Sequence, residues 1–328
     1  MIGAREPGVG ARAPGIGDRK APRRAPGRWC RPAALLFVWI AVLGAVPGAS
    51  ERKSHQEEVA RFRAEYEAGL RAEDGYLSVA GLFFLKPGAN TFGADPASDV
   101  VLPTGAAPAR LGVLEPRGGR IVVSLVAPGL ATLNGAPMQF GELRPASGDR
   151  RPDLLRVGRL TLLAHMSGER LTLRLRDPDG PVRRNFAGLR WFPVDGRYRI
   201  VGRFVPYPQP RRLGIVNIHG DALSLPAPGV VEVTVQGRTF RMEPIQEPNG
   251  RLWFIFKDAT SGRTTYEAGR FLYTDPPRNG VVILDFNKAY SPPCAYNPYT
   301  TCPLPPAANR LTVPIEAGEM AYAGSRDH

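Results

Sequence analysis

From Gly75 onward the chain is cut into short apolar runs separated by Gly, Pro, Asn and Asp. The runs lie at 76–85, 120–126, 160–164, 171–175, 197–204, 230–235, 239–242, 252–256, 269–273 and 281–286. Several alternate apolar with polar residues, and most are rich in Val, Ile, Phe and Tyr. That texture, at a spacing of roughly 8–15 residues, predicts an all-β, mainly antiparallel fold of sandwich or barrel type. No long helical pattern intervenes, which argues against a parallel α/β sheet. The 37 Gly and 34 Pro among 328 residues rule out a helical bundle.

One helix is expected, ahead of the β region. Residues 50–75 begin polar and Pro-free, and Val59, Phe62, Tyr66 and Leu70 recur at helical spacing. Ser54 with Glu57 fits a capping box, and Asp74-Gly75 fits a stop. The expected role is an amphipathic helix that packs one stripe on the domain.

Residues 1–31 carry eight Arg or Lys against Glu6 and Asp18, and an apolar run of 14 residues follows, AALLFVWIAVLGAV, before Pro47-Gly48-Ala49-Ser50. A basic stretch, an apolar run and small residues make a secretory signal. The run falls short of the roughly 17–25 residues of a membrane-spanning helix. Residues 1–49 are therefore read as a signal peptide, with an anchor through residues 33–46 as the alternative. The expected address is periplasmic or extracellular. Arg23-Arg24 lacks the hydrophobic pair of a twin-arginine signal, and Cys30 precedes the apolar run, where no lipobox cysteine lies. Of the net charge of +13, this leader holds +6 (eight minus two). The remaining +7 is scattered, without a basic aromatic cluster, so no nucleic-acid partner is expected. Membrane contact is expected only through the leader.

A turn-rich DPDG at 177–180 separates two strand groups. This places a first β-domain at 76–178, a second at 179–322 and a tail at 323–328. The first contains LKPGANTFGADPASDVVLPT (85–104), TLNGAPM (132–138) and LLRVGRLTLL (154–163). It resembles a forkhead-associated β-sandwich, with a Gly after a short strand, a Ser/Asp-rich loop, an Asp-aliphatic strand and an Asn-Gly turn. The phosphothreonine-binding residues of that family do not carry over. Ala94 stands after Gly93 where the family has Arg, and TGAAPARLG at 104–112 lacks its Ser-x-x-His loop.

In the second domain RRNFAGLRWFPVDGRY (183–198), FKDATSGRTTYEAGRF (256–271), LDFNKAYSPPCAYNPYTTCPL (284–304) and IEAGE (315–319) stand out. With LFFLKPGANTFGADP they resemble the prokaryotic family known as domain of unknown function 1684, over roughly residues 70–322. The resemblance implies a fold unit and no activity.

Cys294 and Cys302 lie in a stretch with six prolines between 292 and 306. Such a stretch can be neither helix nor central strand. In an exported chain the first reading is a disulfide closing a stiff loop, with free thiols as the alternative. No second Cys pair or neighbouring His completes a metal set, and no cofactor is expected.

Arg184, Asp258, Tyr266, Asp285, Asn287 and Tyr290 are the candidate ligand-binding residues, expected to line one polar pocket at a barrel mouth, with Tyr296 and Tyr299 as further flat walls. The plainer reading makes Asp258 and Thr260 turn residues that bond local amides, and makes Asp285 and Asn287 anchors of the Pro-rich loop. No Gly-x-Ser-x-Gly elbow, P-loop or dinucleotide fingerprint occurs. The leading expectation is an exported β-protein that binds a small molecule or cell-envelope component. One alternative is a hydrolase using Asp258 and Asp285 as a carboxylate pair. The other is an interaction or assembly module.

Overall fold

The computed structural model describes residues 49–324. The expected signal peptide or anchor lies outside the described residues. No helix among the described residues is long and apolar enough to cross a membrane.

The chain begins with helix α1, Ala49–Arg71. Val59 and Leu70 are buried and Tyr66 is half-buried, so one stripe of the helix faces the protein. Ser54 and Glu57 sit inside the helix and form no capping box, because helical backbone already precedes them. The helix stops close to Gly75, where the chain folds back on its own last turn. A Cβ at Gly75 would lie 2.4 Å from the Gly69 carbonyl oxygen, so only glycine fits.

Two β-sandwiches follow, both mainly antiparallel. In the first, a six-stranded sheet runs in the order Val79–Phe84, Arg170–Arg176, Leu160–Ser167, Leu155–Val157, Ala131–Leu133, Ala136–Met138. A five-stranded sheet faces it in the order Val100–Val101, Asn90–Gly93, Gly112–Arg117, Arg120–Leu125, Phe140–Leu143. The two share one core, with Leu162, Leu173 and Leu175 from one sheet against Leu114, Ile121 and Val123 from the other. Period-two alternation puts these side chains on the inner faces.

The second sandwich pairs a four-stranded sheet (Arg238–Met242, Ala222–Val235, Arg199–Val216, Val281–Asp285) with a three-stranded one (Ile245–Gln246, Leu252–Phe256, Arg270–Thr274). Val231, Val233, Leu252, Phe254, Phe256, Leu272 and Leu284 fill its core. Neither sheet closes on itself, so the second half is an open sandwich and not a barrel. Its core is completed by the extended segment after residue 310. Leu311, Val313, Ile315 and Ala317 enter at every second position, as in a strand.

The longest strand was read only at one end, with the runs at 197–204 and 230–235 marking the base of its hairpin. Arg199–Val216 and Ala222–Val235 form one hairpin, although the first strand holds Pro206, Pro208 and Pro210. The register shifts between Pro206 and Arg211, so the missing N–H groups fall where the ladder is interrupted.

Candidate functional site

The strand Arg170–Arg176 sends Leu171, Leu173 and Leu175 into the first core. Its other face therefore carries Arg170, Thr172, Arg174 and Arg176. Likewise Leu252, Phe254, Phe256 and Leu272 point into the second core, which turns Trp253, Phe271 and Tyr273 outward. Arg170 is exposed at the end of its face, but Thr172 and Arg174 are buried where the two outer faces approach each other. The two faces bound a cavity of about 310 Å³, with His165 and Arg174 on one side and Trp253, Phe271 and Tyr273 on the other. Tyr66 of α1 and Tyr290 close it, and the loop from Pro293 to Pro303 forms a further wall.

The loop is held in place by a disulfide between Cys294 and Cys302, with Cα atoms 6.2 Å apart. Its backbone is anchored as a buried loop requires. Asn297 donates through Nδ2 to the carbonyls of Val79 (2.6 Å) and Tyr76 (3.0 Å). Ser291 N donates to Glu319 (2.9 Å), and Tyr66 Oη donates to the Ser291 carbonyl (2.9 Å). The Tyr66 and Tyr290 rings lie 4.4 Å apart at a tilt, and Trp253 meets Phe271 edge-on at 5.0 Å.

Two polar atoms in this apolar lining have no acceptor within hydrogen-bonding reach among the described residues. They are Nε of Arg174 and Nε1 of Trp253, both buried. Arg174 is only 8% exposed, and its one side-chain bond is a long 3.4 Å contact from Nη2 to Thr301 Oγ1. Burial, with Arg176 nearby, pulls its guanidinium down to about 10. His165 shares Thr301 Oγ1 at 3.0 Å, and burial beside Arg174 lowers its pKa to about 4. At neutral pH the imidazole is uncharged and Arg174 is the sole charge on the lining. Burial raises the Tyr290 phenol well above its usual range, so it too stays neutral.

Of the six residues singled out in the sequence, only Tyr290 lines this cavity. Arg184 ends a four-residue helix and is exposed. Asp258 is wholly enclosed: it accepts from Thr260 N (2.8 Å), Thr260 Oγ1 (2.6 Å), Arg270 Nη2 (2.8 Å) and Ile315 N (3.1 Å). Tyr266 packs at the edge of a separate cluster with Leu70, Leu77, Phe186 and Tyr296. Asp285 and Asn287 are neighbours: Asn287 Nδ2 donates to Asp285 Oδ1 (2.9 Å) and to the Asp195 carbonyl (2.9 Å), while its Oδ1 accepts from Asp195 N (2.8 Å). Asp285 Oδ2 also lies 2.7 Å from His55 Nε2 of α1. The six do not form one pocket, because the open sandwich has no barrel mouth to gather them. Asp258 and Asp285 each belong to a separate, satisfied network, and neither lines the cavity. Tyr296 is buried and hydrogen-bonds Glu319, and Tyr299 is exposed, so neither is a wall.

Arg174 and Trp253 were missed because each sits in an apolar or alternating strand with no motif around it. The signal that could have found Arg174 is its place in RLTLRLR, where the strand must be buried on both faces for 174 to be enclosed. Among the described residues no group of three His, Cys, Asp or Glu is placed to hold a metal ion.

Comparison with the curated proteins gives no match. Among solved structures, an uncharacterised protein of Haloarcula marismortui, determined by NMR in solution, is 28% identical, with a TM-score of 0.38. The match covers 45% of this chain and 84% of that one. Residues 184–320, which hold the second sandwich and the disulfide loop, match the family described as protein of unknown function (DUF1684), and the resemblance carried by RRNFAGLRWFPVDGRY, LDFNKAYSPPCAYNPYTTCPL and IEAGE is borne out over that span.

Proposed function

We propose that this chain is an exported binding protein that holds a small molecule in the aromatic cavity between its two sandwiches. The observation that carries the reading is the pair of buried donors, Arg174 Nε and Trp253 Nε1, in a lining that offers them no acceptor. A buried polar group without a partner costs about 1–3 kcal/mol, and a bound ligand would recover that cost. The volume of about 310 Å³ lies at the lower end for small-molecule sites. Export is supported by the basic and apolar leader and by a disulfide that suits an oxidising compartment. A carboxylate-pair hydrolase has less to support it, since Asp258 and Asp285 are fully engaged elsewhere.

Native mass spectrometry of the full chain, purified without denaturation, tests the reading. The expected result is a retained non-covalent mass that denaturation releases, or a thermal shift with members of a small-molecule panel. A bare protein mass together with no shift across the panel would sink it.

A further inference from the structure

The chemistry of the occupant can be read from the charge balance of the cavity. Apart from Glu319, whose carboxyl burial raises to about 7, the other buried ionisable groups among the described residues are matched. Arg270 and Asp258, both without exposed side chain, meet at 2.8 Å. Buried Asp177 meets Arg159 at 2.8 Å, and Asp153 meets Arg144 at 2.8 Å. On the same strand face as Arg174, Arg170 meets Asp221 at 2.6 Å.

Arg174 breaks this pattern. It lies mid-sheet, paired in register with Leu163 and Leu82, and is about as buried as Asp153. Yet it forms no ion pair among the described residues, and no carboxylate lines its cavity. A desolvated, unpaired charge is among the costliest arrangements a protein interior can hold. The neighbouring His165 is neutral, and Arg176 adds further positive charge nearby.

An aromatic box alone would suit an ammonium group. Here the guanidinium inside the box repels one. What the box welcomes is a flat, apolar body against Trp253, Phe271 and Tyr290. A single cation matches one negative charge, and Nε of Arg174 and Nε1 of Trp253 ask for acceptor oxygens.

Resting on the proposed ligand-binding role of the cavity, we infer that its ligand is a ring-bearing organic monocarboxylate, with Arg174 as counter-ion and the aromatic walls around the ring. The volume limits the ligand to one ring or a fused pair.

The experiment compares acids with their uncharged amides on the full chain. Benzoate, phenylacetate and indole-3-acetate are titrated beside benzamide, phenylacetamide and indole-3-acetamide, by calorimetry and by Trp fluorescence. The expected result is binding of at least one acid about tenfold or more tighter than its amide. Arg174→Met should abolish that preference, leaving acid and amide binding within about twofold of each other. Arg174→Lys, which keeps the charge but lacks Nε, should retain part of it. If the methionine variant does not fold, the acid–amide comparison on the unaltered chain decides alone. Equal binding of acids and amides overturns the carboxylate assignment and leaves the cavity a ligand site. No binding by any acid or amide, together with a bare native mass, overturns the cavity reading and this inference with it.

Discussion

Arg270 Nη2 and Asp258 Oδ2 meet at 2.8 Å in the second sandwich, with neither side chain exposed. The same guanidinium donates to the carbonyls of Ile315 (2.9 Å) and Ala317, so it fastens the extended segment that completes the core. Gly269 makes this position reachable. Its φ is +106°, and a Cβ there would lie 2.5 Å from the Phe256 carbonyl oxygen. Arg270→Met should cost about 3–5 kcal/mol, because it leaves Asp258 charged and buried. Urea denaturation checks this. A cost under 1 kcal/mol would show that the pair does not hold the segment.

Glu319 should make stability depend on pH. Burial raises its carboxyl from 4.5 to about 7, against the opposing hydrogen bonds from Tyr296 and Ser291. Between those values the folded chain holds a proton that the unfolded chain has released. The stabilisation is therefore complete below about pH 4.5 and is lost as pH rises through about 7. Its size is on the order of 3 kcal/mol, at about 1.4 kcal/mol per pH unit. Glu319→Gln should flatten the curve over that window, as read from denaturation midpoints at pH 4.5, 6 and 8. An unchanged slope would count against the assignment.

The disulfide should matter for the loop more than for the sandwiches. Opening a ring of this size costs about 2–3 kcal/mol on the chain-entropy account. Cys294→Ser with Cys302→Ser should lower the denaturation midpoint accordingly. Hydrogen exchange should show the loss of protection concentrated in 291–304. Uniform loss across both sandwiches would contradict a local role.

Helix α1 should depend on its contact with Asp285. His55 lies 2.7 Å away, Arg63 donates to the Asn287 carbonyl (3.2 Å), and Lys288 pairs with Glu58. His55→Ala should cost about 1.5–3 kcal/mol, the range for bonds to charged groups. Amide exchange should rise first within Ala49–Arg71. Unchanged protection there would mean that apolar packing alone docks the helix.

How much of this was legible in the sequence depends on what each residue advertises. Strands such as Leu252–Phe256 and Val281–Asp285 read directly as apolar runs, and the spacing of Val59, Phe62, Tyr66 and Leu70 marked both α1 and its buried stripe. Of the hairpin through Pro206, Pro208 and Pro210 only the base at 197–204 and 230–235 read, because proline forbids a regular ladder and only the shifted register accommodates it. Asp258, Asp285 and Asn287 stood out as polar residues beside turns, and anchoring of backbone and loop is the role their hydrogen bonds perform. The cavity was hidden for a different reason. Its lining comes from the outer faces of two separate sheets, and period-two alternation says which face a residue takes but not what that face meets.

The distances along the chain have a kinetic consequence. Tyr66 donates to a carbonyl 225 residues away, and Asn297 reaches a carbonyl 218 residues away. Hairpins such as Arg199–Val216 with Ala222–Val235 close locally and can form early. The cavity needs the helix, both sandwiches and the disulfide loop to arrive together, so it should be the last feature to appear on refolding. A cavity ligand such as the proposed carboxylate would then slow unfolding far more than it would speed folding, since the contacts it adds are absent from the transition state.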